Sequence, residues 1–218
     1  MVTITLNGKK HACPSCYEEL KTRHYQRMIS EWDMEKPIVD RDFFKLFCIL
    51  TDTQFTSLHS TAENEVTIWN AIRWTIEQHF EFRDDMPKVL QIGDKILDLP
   101  RNVGSLSIGQ NIHLRQILDK SKYLEENLSI ATAIYLQPYY DNTKFDFDRA
   151  VELEKIIAEM PAYLIKPVGF FILTNALTPG KTRGINWLRT LISHIKMRRK
   201  MLLIWLSGNG SHLLRTLG

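Results

Sequence analysis

Cys13-Pro14-Ser15-Cys16 is the one stretch of this 218-residue chain whose residue types and spacing resemble a reactive site. Two thiols in a Cys-x-x-Cys arrangement at a helix start can share a zinc ion or close a redox disulfide. A structural zinc needs two further ligands, and no second Cys-x-x-Cys occurs, so His11, His24 or Cys48 would have to be recruited by folding. Cys13 and Cys16 are therefore the metal candidates of the chain. The expectation is a plain turn before a helix, with no metal and no cofactor.

Other signatures point away from catalysis. The seven histidines are scattered, with no His-x-x-x-His or His-Glu-x-x-His pair to put two imidazoles on one helix face. Gly180-Lys181-Thr182 lacks the upstream glycine of a phosphate-binding loop. The acidic pairs Asp84-Asp85, Glu125-Glu126 and Asp146-Asp148 fall in predicted loops or helix starts, where carboxylates complement the helix dipole. No nucleophile is paired with a base, and the chain reads as a non-enzyme.

Charge is distributed unevenly. The net charge is +3, yet the last acidic residue is Glu159, and residues 160–218 carry nine basic side chains and no acidic one. Residues 1–159 hold 19 basic and 25 acidic side chains, a net of −6. The basic end calls for an acidic partner: nucleic acid, an anionic surface, or the acidic part of another copy.

That basic end reads as an amphipathic helix over about residues 185–206. Ile185, Leu188, Leu191, Ile192 and Ile195 form its apolar face. Arg189, Lys196, Arg198, Arg199 and Lys200 supply its charge, Lys181 and Arg183 precede it, and Trp187 and Trp205 add aromatic surface. These nine side chains are the candidate interaction residues; a solvated surface helix is the plain alternative. No bilayer-spanning segment is expected, because the longest apolar run, Met201 to Leu206, falls far short of the roughly 20 residues that span a bilayer, and a membrane-surface role for the basic helix is a third option behind protein and nucleic-acid contacts. The odd cysteine count, with no secretory signal over residues 1–12, points to synthesis in a reducing cytoplasm.

The elements that would position these residues repeat. Residues 3–14 and 89–100 each read as a strand, a two-residue turn (Asn7-Gly8 or Gly93-Asp94), a second strand and a proline. At the same offset of 86, Leu20, Tyr25 and Met28 fall opposite Leu106, Asn111 and Leu114, and Phe44, Phe47, Ile49 and Leu50 opposite Ile130, Ala133, Tyr135 and Leu136. Cys13 falls opposite Leu99 and Cys16 opposite Asn102, so the unit does not require thiols. Ser15 to Glu18 and Ser107 to Gln110 both fit a capping box. Further helices are predicted over 66–80, 146–158 and 160–177, the last with Pro161 in its first turn and a bend at Pro167. The tryptophans and the phenylalanines of 43–47 are expected in the core or at an interface. The predicted fold is α+β, mostly α: a β-hairpin-plus-helices unit in tandem (1–86 and 87–177) followed by a basic helical tail (178–218).

Several of these stretches carry a family resemblance: Leu106-Ser107-Ile108-Gly109-Gln110 after the second hairpin, the helix end Ala131 to Pro138, Tyr140-Asp141, Phe145-Asp146, and Met160-Pro161 to Phe170-Phe171. Over residues 1–177, and best over 89–173, the chain resembles small virion-assembly and tail-region proteins of tailed phages of Bacteroidetes, including crAss-like phages. The first half departs from that pattern in having no Gly-Gln after Leu20 and in its cysteines. The resemblance implies a homo-oligomeric ring or gatekeeper-type component at the portal, head–tail junction or tail, located in the virion and made in the host cytoplasm. Implied partners are other copies of itself and neighbouring portal, tail or cargo proteins. A tail assembly chaperone and a nucleic-acid-binding module remain the alternatives.

Overall fold

Two β-hairpins, each followed by helices, make up the described structure. A computed structural model describes residues 1–31, 40–54, 61–77, 86–100, 106–121 and 123–175. The candidate interaction residues of the basic tail, Lys181 to Trp205, lie outside them. All described elements belong to one compact unit.

The first hairpin pairs β1 (Val2–Leu6) with β2 (Lys9–Cys13), Leu6 opposite Lys9. Asn7 and Gly8 both take positive φ, 51° and 76°, as a tight turn matching the strand twist requires. The second pairs β3 (Val89–Ile92) with β4 (Lys95–Asp98), Ile92 opposite Lys95. In its turn Gly93 takes positive φ, 59°. Each hairpin turns one face inward: Leu6 and Cys13 in the first, Leu90, Ile92 and Leu97 in the second, are buried.

The helices are α1 (Thr22–Glu31), α2 (Asp40–Thr51), α3 (Ala62–Ile72), α4 (Trp74–Glu77), α5 (Ile108–Asp119), α6 (Leu128–Asp141), α7 (Phe147–Glu159) and α8 (Ala162–Asn175). Lys9 and Lys95, which open β2 and β4, are 86 residues apart, and so are Thr22 and Ile108, which open α1 and α5. The starts of α2 and α6, Asp40 and Leu128, are 88 apart, and those of α3 and α7, Ala62 and Phe147, are 85 apart. The fold is α+β and mostly helical, as expected.

Helix α6 is the hub. Every residue from Ala131 to Gln137 is buried, Thr132 and Gln137 included, so this helix is enclosed on all sides and packs against α1, α5, α7, α8 and β4. At Gly169 of α8 a Cβ would lie 2.8 Å from Leu128 Cδ2 and 3.1 Å from the Leu128 carbonyl oxygen, so only glycine admits this approach of α8 to the start of α6. The aromatic segment behaves as expected: Phe44 and Phe47 are buried, and Phe43 meets Trp69 edge-on at 4.8 Å.

Local signals held in some places and not in others. Ser107 and Gln110 form the expected capping box at α5, and Asp146 caps α7 by accepting from the amides of Asp148 and Arg149. The Ser15–Glu18 box does not form. A three-residue 3-10 turn, Tyr17–Glu19, stands there with Cys16 at its cap and no side-chain capping bond. Its tighter winding brings Glu19 rather than Glu18 back, and the Ser15 amide and hydroxyl both donate to Glu19 at 2.8 Å.

The helix expected over 66–80 starts earlier, at Ala62, because Thr61 accepts from the Asn64 amide, and it breaks at Arg73. Pro161 does not enter the first turn of α8. It pairs with Lys21 in an isolated antiparallel bridge, while Met160 ends α7 in extended conformation. Glu125, expected on a loop or helix start, lies in a 3-10 turn (Leu124–Asn127) and is buried.

Candidate functional site

The Cys-x-x-Cys stretch forms the turn between β2 and the first 3-10 turn. Cys13 is buried and Cys16 half-buried; Cys48, on α2, is buried as well. Burial pushes the Cys13 thiol up to about 12, with the Glu19 carboxylate adding to the rise. Burial likewise raises Cys16 and Cys48. Thiols raised in this way are poor nucleophiles at neutral pH. Among the described residues no three His, Cys, Asp or Glu side chains are placed to hold a metal ion. His11 is engaged elsewhere, its Nδ1 3.0 Å from Thr53 Oγ1 and its ring edge-on to Phe47.

A cluster of charged groups among the described residues was not visible in the sequence. It runs along α1, where Arg23, His24 and Arg27 share one side and Lys21 precedes them. His24 is 4 % exposed, and its Nε2 lies 3.1 Å from Asp52 Oδ2. Arg23 reaches Asp52 at 2.7 Å and Glu159 at 2.5 Å; Lys21 reaches Glu159 at 2.7 Å, and Arg27 reaches Asp52 at 3.5 Å. Asp52 sits just past the end of α2 with φ 54°, and Glu159 is the last residue of α7. One helix thus ties two helix C-termini together. Positive side chains at those ends also meet the unpaired carbonyls favourably.

Protonation states follow from this geometry. Burial lowers the His24 pKa below its ordinary 6.5, and the Asp52 interaction opposes that without reversing it. Burial alone would raise Asp52, but its bonds to His24 and Arg23 outweigh burial and hold the carboxyl below its ordinary 3.8. Ionised Asp52 only accepts, so His24 Nε2 carries the proton and donates it. His24 Nδ1 is buried with no hydrogen-bond partner. An imidazole so enclosed positions helices; it has no open face for a substrate proton.

Lys166 and Gln110 are among the other buried polar groups. The Lys166 ammonium, on α8, lies 5.0 Å from the centre of the Tyr25 ring, and Tyr25, 6 % exposed, has its phenol raised well above the usual value by burial, with Glu125 and Tyr17 adding. Gln110, on α5, is 4 % exposed; its Oε1 accepts from the Ser107 amide at 2.9 Å and its Nε2 donates to the Ile134 carbonyl at 2.8 Å. Third from the start of its helix, it stands where His24 stands in α1.

An open groove of about 480 Å³ lies at the turn between α6 and α7, lined by Asp141, Thr143, Lys144, Phe145, Asp146 and Arg149. Its acidic groups already serve the turn. Asp146 caps α7, and Asp141 accepts from Gln137 at 3.1 Å and faces Arg149 at 3.5 Å. The described helices include none long and apolar enough to cross a membrane. No family model, curated protein or solved structure matches the chain.

Proposed function

We propose that this chain is a non-enzymatic structural protein, one hairpin-plus-helices unit written twice with a basic tail, that assembles with its own copies into a ring or adaptor at the portal–tail region of a tailed-phage virion. The observation that carries this reading is the recurrence of hairpin, helix, helix, helix at spacings of 85 to 88 residues, with a buried polar side chain third in α1 and in α5. Duplication of one unit accounts for all of it at once. The differences between the halves then mark where each copy acquired its own contacts.

The charge pattern supports self-assembly. A net of −6 over residues 1–159 and eight basic side chains with no acidic one over residues 178–218 give each copy an acidic body and a basic end, so copies attract one another end to body. Portal, tail and cargo proteins are the further partners in this reading. The groups that could do chemistry support it too: the thiols are poor nucleophiles, and the charged cluster on α1 is spent on joining helices.

The full-length chain in size-exclusion chromatography with light scattering, and in negative-stain microscopy, is expected to run as a closed homo-oligomer with a mass that is a whole multiple of 25.5 kDa. A strictly monomeric chain at all accessible concentrations would sink the proposal. Mass spectrometry of purified virions is expected to find it there; presence in lysates only would make it a tail assembly chaperone instead. The run Lys196 to Lys200 also favours a nucleic-acid reading, which predicts salt-dependent DNA binding lost on deletion of 178–218.

A further inference from the structure

Helix α1 is held on its two sides by bonds of different kinds. On one side they end on main chain and involve no titratable group: the Thr22 amide and hydroxyl donate to the Met160 carbonyl at 2.8 and 2.9 Å, and Gln26 Nε2 donates to the Glu126 carbonyl at 2.6 Å. Toward the end of α2 the contacts are ionic and converge on Asp52, which meets Arg23, His24 and Arg27 together. Lys45 of α2 adds a tie to the Glu31 carbonyl at 2.6 Å.

The Asp52 turn is built to give way. Asp52 takes φ 54°, a left-handed conformation unfavourable for a residue with a Cβ, and its side chain is 39 % exposed, so water reaches the ion pairs. His24 lies beneath them, 4 % exposed, with Nε2 3.1 Å from Asp52 Oδ2 and with Nδ1 buried and unpartnered among the described residues. A second proton on the ring therefore goes to a buried atom that has no acceptor. Arg23 on the same helix and Lys21 just before it oppose the added charge, and Asp52 favours it. Around them, Glu159 at the end of α7 pairs with Lys21 and Arg23, and the Cys48 thiol on α2 feels Arg27. His11 of β2 reaches the same turn, its Nδ1 3.0 Å from Thr53 Oγ1.

We propose that His24 is an acid-operated latch: a second proton on its ring releases Asp52 and the 51–53 turn at the end of α2 from α1, while α1 keeps its bonds to the Met160 and Glu126 carbonyls. This is independent of the assembly reading. The direction follows from linkage. The His24 pKa in the closed form lies below 6.5, so the open form takes the proton more readily and gains population as pH falls from 6.5 toward the closed-form value. Asp52, held below 3.8, stays ionised through that range, so the anion is not what is lost. Opening is local because the contacts that fail sit at one end of one helix.

The test is hydrogen–deuterium exchange read by mass spectrometry on the full-length chain at pH 7 and pH 5, with rates corrected for the intrinsic pH dependence of amide exchange. Residues 48–54 are compared with residues 131–137 of the hub helix. Protection over 48–54 is expected to fall at pH 5 by between about threefold and about 25-fold, the ceiling that one group with an ordinary pKa of 6.5 can supply over that range. It should also stay below the protection of 131–137 at both pH values, as an opening smaller than global unfolding requires. His24→Gln, which keeps a donor toward Asp52 and cannot titrate, should retain its protection at pH 7 and lose the acid response; His11→Gln should keep that response. Equal protection of the two stretches at pH 5 overturns the latch, as does an acid response that survives in His24→Gln or vanishes in His11→Gln. A reading that needs no variant is the His24 ring followed by NMR: a titration midpoint below 6.5 is expected, and a midpoint at or above 6.5 overturns the proposal.

Discussion

Gln110 occupies the carbonyl that Pro138 leaves vacant. Proline has no amide hydrogen, so the Ile134 carbonyl four residues earlier in α6 loses its helical donor, and Gln110 Nε2 supplies one at 2.8 Å. The same side chain closes the capping box at Ser107, so one buried amide holds the start of α5 against the middle of the hub helix.

Gln110→Leu is expected to destabilise the fold by about 2–3 kcal/mol, since it removes a cap and leaves a buried carbonyl unpaired. In the Pro138→Ala background the loss should be smaller, because an alanine at that position returns an amide to the Ile134 carbonyl. A double-mutant cycle in urea measures the coupling. Equal losses in both backgrounds would show that Gln110 acts only as a cap.

Acid should loosen the clasp of α1 on α2 and α7. His24 has its folded-state pKa below 6.5, so the unfolded chain binds the extra proton more readily, and stability falls as pH drops from 6.5 toward the folded value. Asp52, also depressed, adds a second loss as pH falls from 3.8. A protonated His24 would place an N–H at the buried Nδ1, where it has no acceptor. The groups that act on it are Asp52 across the contact, Arg23 beside it on α1 and Lys21 just before that helix. His24→Gln should flatten the stability profile between pH 7 and 5 in thermal melts; an unchanged slope there would assign the acid response to other groups.

Gly169→Ala should cost about 1–3 kcal/mol, because the added methyl meets Leu128 backbone at 3.1–3.2 Å as well as its side chain. The companion Leu128→Ala removes the side-chain clash but not the backbone one. In the Leu128→Ala background Gly169→Ala should therefore cost less than in the parent without becoming neutral, read as the shift in urea midpoint between the two members of each pair.

The ends of α2 and α6 share a left-handed residue, Asp52 at φ 54° and Asn142 at φ 53°, each followed by an amide that returns to the helix: Thr53 to Cys48 at 3.1 Å and Thr143 to Pro138 at 3.2 Å. Asn142→Ala is expected to lose about 1 kcal/mol and Asn142→Gly to lose nothing or gain slightly. Comparison of the two melting temperatures checks this, and a loss in the glycine variant would point to a role for the Asn142 side chain.

What the sequence by itself determined is what depends on neighbours along the chain. Asn7-Gly8 and Gly93-Asp94 make hairpins because the turns need those residues; Ser107 and Gln110 cap α5 because a helix start offers amides at that spacing; and the even apolar content of Leu128 to Gln137 marks a helix surrounded by others. The Ser15 box failed for an equally local reason, a 3-10 turn in place of an α-helix. Only the tertiary structure decided which polar groups would be buried. His24, Glu125 and Lys166 read as ordinary helix and loop polars until α1 packed between the ends of α2 and α7 and against α8, which buried them and paired Lys21, Arg23, Arg27 and Glu159 at the surface. Such contacts are set by what packs against a residue, and the partner lies 138 residues away for Lys21 and Glu159 and 100 for Gln26 and Glu126. The same holds for α5: periodicity gives Ile108 and Ile112 a face, and only packing shows that they are exposed among the described residues.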